Sequence, residues 1–212
     1  MHIYKNKKIL VAKKNTLLEK IIIVDGQQGN GKSMFATILS TMDRVEILNY
    51  SNLIEQICGL KYLNKISNDA AETLIKLELD ELIYETMMGR RVNFRYNDLS
   101  SAFNNINFPE YVRRIFSKGD EEIPKIIKSK KPILNLVVHN LMPFSMPIFK
   151  AFGKKVIFLE IIRHPLYMIT QQYLYKLDHY KSKIIEREFS LNISYENTQL
   201  PFWNYKFLNS QK

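Results

Sequence analysis

The chain has 212 residues, 46% of them hydrophobic, which is enough for one domain, residues 1–212, with a real apolar core. Thirty-one Lys and Arg against 21 Asp and Glu give a net charge of +10, which suits an anionic ligand, nucleic acid or an acidic membrane surface without choosing among them. Cys58 is the only cysteine, which excludes an internal disulfide and a cysteine metal cluster and points to a reducing compartment.

The basic start MHIYKNKKILVAKKN lacks the long apolar core and cleavage site of a secretory leader, and no apolar run reaches membrane-spanning length. The expectation is a cytoplasmic protein, in which the sequons at Asn49 and Asn192 are chance. Residues 1–20 read as a polar lead-in with a short strand at Ile9 to Ala12. Ile21, Ile22, Ile23 and Val24 then form a β-branched run, the first core strand, ending at Asp25.

The next eight residues, Gly26, Gln27, Gln28, Gly29, Asn30, Gly31, Lys32 and Ser33, match the phosphate-binding (Walker A) pattern G-x-x-x-x-G-K-[ST] at every position. Each residue type has a physical role in that pattern. Glycines let the backbone close round a phosphate, amide N–H groups and the helix dipole hold its charge, and the lysine neutralises it. The hydroxyl of Ser33 is the usual ligand of Mg²⁺.

Met34 to Met42 continue as a helix, and Val45 to Tyr50 as a second strand. From Asn68 to Gly89 the spacing predicts a long helix, with Asp69 as its cap, Glu72 three residues on, and an apolar stripe of Ile75, Leu79, Leu82 and Ile83. Residues 90–131 read as a basic helical excursion covering one end of the sheet, with short helices at Ser100 to Asn105, Glu110 to Lys118 and Asp120 to Lys128. Pro132 to Val138 and Lys155 to Ile162 are continuous apolar runs of the kind buried inside a parallel sheet. A helix from Phe144 to Phe152 joins them, a further helix begins at Pro165, and residues 189–195 alternate as a half-buried strand does. The fold class expected is α/β: a three-layer P-loop fold with a central, mostly parallel sheet.

A strand, a phosphate loop and a helix are common to ATPases, GTPases, small-molecule kinases and sulfotransferases, so the choice needs a second motif. The stretch from Val138 to Thr170 resembles the sulfotransferases that use 3′-phosphoadenosine-5′-phosphosulfate. In them one strand ends in His followed by Leu and Pro, and a later one ends in Arg-x-Pro at a helix start. Here these are His139-Asn140-Leu141-Met142-Pro143 and Arg163-His164-Pro165, 24 positions apart. The resemblance implies that His139 takes the proton of an acceptor hydroxyl and that Arg163 binds the 3′-phosphate. It also implies that Lys32 and the loop hold the 5′-phosphosulfate. The family's helix serine falls at Gln171, with Thr170 beside it as the candidate cofactor contact.

The partners expected are thus the nucleotide and a hydroxyl-bearing acceptor. The alternatives are an ATP-dependent small-molecule kinase or other P-loop NTPase using Mg²⁺, favoured by the intact Lys32-Ser33 pair, and a non-catalytic nucleotide-binding module. For the kinase, Asp25 and Glu160 are the available carboxylates. Arg90, Arg91 and Arg95 read as a solvated cluster, and the tail with Phe202, Trp203 and Tyr205 as packed on the core. No nucleic-acid signature is present.

Overall fold

The structure, a computed structural model, describes residues 9–117, 119–182 and 189–208; the side chains of 175, 176 and 178–182 lie outside the description. The core is a four-stranded parallel sheet of β1 (Lys20–Asp25), β2 (Val45–Tyr50), β3 (Ile133–Val137) and β4 (Val156–Glu160), in the order β2-β3-β1-β4. β1 lies centrally, with Ile21 to Val24 opposite Leu134 to Val137 on one side and opposite Val156 to Leu159 on the other. The β-branched run predicted the middle of this sheet because a strand flanked on both sides and covered on both faces must be apolar at successive positions. Ile21, Ile22, Ile23 and Val24 are all buried.

Alternation along β1 divides the core. Ile21 and Ile23, with Leu134 and Leu136, face a large cluster built by α2 (Asn52–Tyr62), α3 (Asn68–Met88), α5 (Ile123–Lys130) and α6 (Met146–Phe152). Ile22 and Val24 face the other way, with Ala36 of α1 (Lys32–Leu39). This is an α/β arrangement with helices on both faces of a parallel sheet.

Several expectations are corrected in detail. Ile9 to Ala12 form no strand: Val11 donates its amide to Asp69 and accepts from Thr73, while the amides of Leu17 and Leu18 both go to the buried Asp80. The lead-in is thus a strap laid along α3. Asp69 is spent on that strap, and Ser67 caps α3 by accepting from the amide of Ala70. Gly89, at a φ of 87°, ends the helix as predicted.

Helix α2 had no counterpart among the predicted elements. At the C-terminus, β5 (Asn192–Tyr195) does not join the core sheet. It pairs antiparallel with β6 (Thr198–Pro201), and Phe202 beyond it packs edge-on against Phe144 and Tyr62, before α8 (Tyr205–Leu208).

The first part of the helical excursion sits along the β2 side of the sheet, while α5 packs in the large cluster beside α3. Tyr111 of α4 (Phe108–Ile115), Ala102 and Val92 close over Ile47 of β2. A buried ion pair holds α4 there. Arg114 makes two hydrogen bonds to the Glu46 carboxylate, at 2.7 and 3.0 Å, and a third to the Thr86 carbonyl. Both side chains are less than a tenth exposed.

Removing one partner of such a pair strands a charge in the core, whereas removing both does not. In urea denaturation, Glu46→Ala should lower the unfolding free energy by about 3–5 kcal/mol. The double replacement Glu46→Leu with Arg114→Met should recover most of that loss, and a double variant as weak as the single one would contradict this account.

Candidate functional site

Gly26 to Ser33 link β1 to α1 at the carboxyl end of the sheet, where the open ends of β3 and β4 also lie. Gly26 has a φ of 138°, and a Cβ there would lie 2.1 Å from the Asn30 amide nitrogen and 2.6 Å from the Ile161 carbonyl, so only glycine fits. Asn30 donates to that same carbonyl and accepts from the Lys32 amide, stapling the loop to the chain leaving β4. At Gly31 a Cβ would meet nothing within 4 Å, so the loop is open over the first turn of α1.

The Lys32 ammonium is folded back onto the Gln27 carbonyl at 3.1 Å. Burial lowers its pKa below the usual lysine value, and the negative charges of Asp25, Glu55 and Glu160 offset part of that effect. Ser33 Oγ lies 3.0 Å from the Tyr50 hydroxyl at the end of β2. Within the loop the Lys32 amide is held by Asn30 Oδ1 and the Asn30 amide by the Gln27 carbonyl, so the loop is braced by its own hydrogen bonds at the N-terminus of α1.

His139 follows β3. Its amide and its Nδ1 both meet Glu55 Oε1, at 2.9 and 3.0 Å, so one carboxylate in the first turn of α2 fixes the ring. With Nδ1–H donating to Glu55, the tautomer this contact favours, Nε2 is left as a proton acceptor. Glu55 was invisible in the sequence because the helix carrying it was not recognised.

Arg163 donates to the Gly29 carbonyl at 3.3 Å and stacks over Tyr167 at 5.8 Å. The helix α7 (Pro165–Ser182) runs from there past the loop: Gln172 donates to the Gln28 carbonyl, and Gln171 packs where a Cβ on Gly29 would sit. Thr170 does not reach the loop; its hydroxyl is exposed and bonded to the Leu166 carbonyl at 3.2 Å. His164 accepts from the Leu166 amide in the first turn of α7. The loop, His139 and Arg163 are thus gathered at one edge, and Thr170 stands apart from them.

Beside the loop a cleft of about 860 Å³ opens between β4, α7 and the chain after β3. Its floor carries two carboxylates, Asp25 and Glu160, which are register partners on β1 and β4. Asp25 is fully buried, and its Oδ2 accepts the amides of Leu141 and Met142 at 2.7 and 2.6 Å. Although Glu160 is largely exposed, desolvation of its carboxyl at the cleft floor, then the charge and the hydrogen bond of Asp25, push it up to about 7, against the lowering effect of Lys32. In its protonated form the Glu160 carboxyl donates a hydrogen bond to Asp25.

Elsewhere, Arg91 pairs with Glu85 at 2.7 Å, while Arg95 and Arg90 lie near Asp98 and Asp120 at 3.7 and 4.0 Å, all on exposed surface. Cys58 is buried, and burial pushes its thiol up to about 12. His2 and the side chains of Tyr175 and His179 lie outside the described residues. Among the described residues no three His, Cys, Asp or Glu side chains converge to hold a metal ion, and no helix is long and apolar enough to cross a membrane.

Comparison with family models, curated proteins and solved structures finds no match to this chain.

Glu160 gives a measurable signature. Its pKa is raised by folding, so the folded state binds the extra proton. The stability this supplies is complete below about 4.5 and is lost as pH rises through about 7. Glu160→Gln keeps a donor toward Asp25 without titrating. Its melting temperature should match wild type near pH 5 and exceed it near pH 8. Parallel curves over that range would mean that the two carboxyls do not share a proton.

Proposed function

We infer that the chain is a nucleotide-dependent transferase that moves a sulfuryl group from 3′-phosphoadenosine-5′-phosphosulfate to a hydroxyl-bearing acceptor. The observation that carries this reading is the His139–Glu55 pair. An imidazole at the exit of a core strand, adjacent to the loop's own strand, is held by a carboxylate so that its free nitrogen can act as a base.

The residues fit a doubly phosphorylated nucleotide. The open loop over Gly31 and the Lys32 ammonium suit the 5′ end, and the Arg163 guanidinium at Gly29 supplies a fork for a second phosphate. When bound, the nucleotide supplies the activated sulfuryl group. His139 Nε2 would accept the proton of the acceptor hydroxyl, and Lys32 with the loop would hold the 5′-phosphate and offset the charge that develops there. Glu55 orients the imidazole, which makes it a positioning residue.

A second reading, phosphoryl transfer from ATP with Mg²⁺, is favoured by one feature: Ser33 stands in the first turn of α1 directly after Lys32, where such enzymes bind the metal. A non-catalytic nucleotide-binding module is the third possibility the same experiment addresses.

Calorimetry with adenosine 3′,5′-bisphosphate and with ATP plus Mg²⁺ separates these readings. The expected result is preference for the bisphosphate, loss of binding in Lys32→Ala, and weaker bisphosphate binding in Arg163→Ala. His139→Ala should keep bisphosphate affinity while turnover falls about a hundredfold or more. Glu55→Gln should lower kcat with little change in KM and shift the pH profile of kcat. Mg²⁺-dependent preference for ATP would replace the first reading with the second. Failure of both ligands to bind would remove the loop from the function.

A further inference from the structure

Helix α7 carries apolar side chains on the face turned away from the domain. At about 100° per residue, Leu166, Tyr167, Ile169, Tyr173 and Leu174 fall within one arc of roughly 160°, with Thr170 near its middle. All five are between 55% and 69% exposed. The opposite arc faces the body: Met168 is buried, Gln171 packs against Gly29, and Gln172 donates to the Gln28 carbonyl. This inverts the pattern of a surface helix, whose apolar stripe ordinarily faces the core.

We propose that this face is a dimer interface, on which α7 of a second copy of the chain lies antiparallel across a twofold axis near Thr170. Such an isologous contact closes on itself and pairs each arc with its own image. It goes beyond the transferase reading and does not rest on it.

Area and charge both select a second copy. With Ile162, which is 84% exposed just before the helix, the arc leaves about 500 Å² of apolar side chain uncovered, taking about 200 Å² for a whole tyrosine and about 100 Å² for an aliphatic side chain. Two such faces together reach about 1,000 Å², the total that a specific interface must clear. The chain carries a net charge of +10 and should repel its copy, yet between Ile162 and Leu174 the only charged residue is Arg163. Its guanidinium is turned to the Gly29 carbonyl and lies over the Tyr167 ring. No like charges within the arc therefore meet across the axis. A helix that lies on an anionic bilayer carries Lys and Arg along its polar face, whereas here that face holds Gln171 and Gln172 against the body. Tyrosine-rich and charge-poor, the arc has the composition of an interface centre.

Pairing at this face braces the glycine-rich loop, because the opposite arc of the same helix meets Gln28 and Gly29. It also places the second copy beside the cleft, which Ile169 and Tyr173 line from the edge of the arc.

Sedimentation velocity on the full chain at micromolar concentrations tests this. Wild type should sediment as a reversible dimer, and added salt should tighten it by screening the net charge. Leu166→Asp and Leu174→Asp, with folding checked by melting curves, should each weaken association about tenfold or more. Leu77→Asp, at an exposed leucine of α3 outside the arc, should leave it unchanged. A short bis-maleimide should link Thr170→Cys chains in pairs, without background from the native thiol, because Cys58 is buried. A wild-type monomer throughout, a dimer that survives Leu166→Asp, or no cross-link in Thr170→Cys overturns the proposal. Binding of a monomeric wild type to phosphatidylglycerol vesicles, weakened by salt and lost in Leu166→Asp, would overturn it in favour of an anionic membrane.

Discussion

The site depends on one buried carboxylate. Asp25 closes β1, and its Oδ2 takes the backbone amides of Leu141 and Met142, which belong to the chain leaving β3. Backbone donors to a buried charge are strong and directional, and they lock the beginning of the glycine-rich loop to the far end of a neighbouring strand. The rest follows from that clamp. Asn140 donates to the Gly26 carbonyl, His139 is presented toward Glu55, and the turn from Met142 to Phe144 closes one side of the cleft. Asn30 performs the same service toward β4, bonding to the Ile161 carbonyl. The loop is therefore held from both neighbouring strands.

This arrangement divides the carboxyl edge of the sheet into two halves. On the β2 and β3 side lie two hydrogen-bonded pairs, Ser33 with Tyr50 and Glu55 with His139. On the β4 side lie Glu160, Arg163 and the apolar wall of α7. Lys32 is at the junction, and it senses Asp25, Glu55 and Glu160 together. A lysine so placed couples the halves electrostatically, because any anion that takes its charge changes the environment of both.

Much of this was legible in the sequence where the signal is local. The loop was readable because its glycines and Lys32 stand at fixed offsets. β1, β3 and β4 were readable because burial on both faces demands uninterrupted apolar runs. Helix α2 was not, since it carries Gly59, ordinarily a breaking signal. The structure gives Gly59 a packing reason: a Cβ there would lie 2.9 Å from Leu191 and 3.1 Å from Phe202, so the glycine makes room for the C-terminal tail. Missing α2 meant missing Glu55. The pairing of Asp25 with Glu160 was equally hidden, because it arises from the register of two strands remote in sequence, which no local pattern encodes. Asp69 looked like a cap and became a strap anchor because a tertiary partner, Val11, competed for it and Ser67 was available.

The strand order also constrains how this molecule can be made. β1 and β2 are the first strands synthesised, yet they are not neighbours; β3 lies between them, and β4 completes the other flank of β1. A nascent chain that stops short of Ile133 holds both early strands and the glycine-rich loop with nothing to zip them together. The loop lies early in the chain, but Leu141, Met142 and Ile161, which define its shape, leave the ribosome more than a hundred residues later. The final shape of the loop is thus among the last features this chain acquires, and its apolar first strand must wait unpaired until β3 is made.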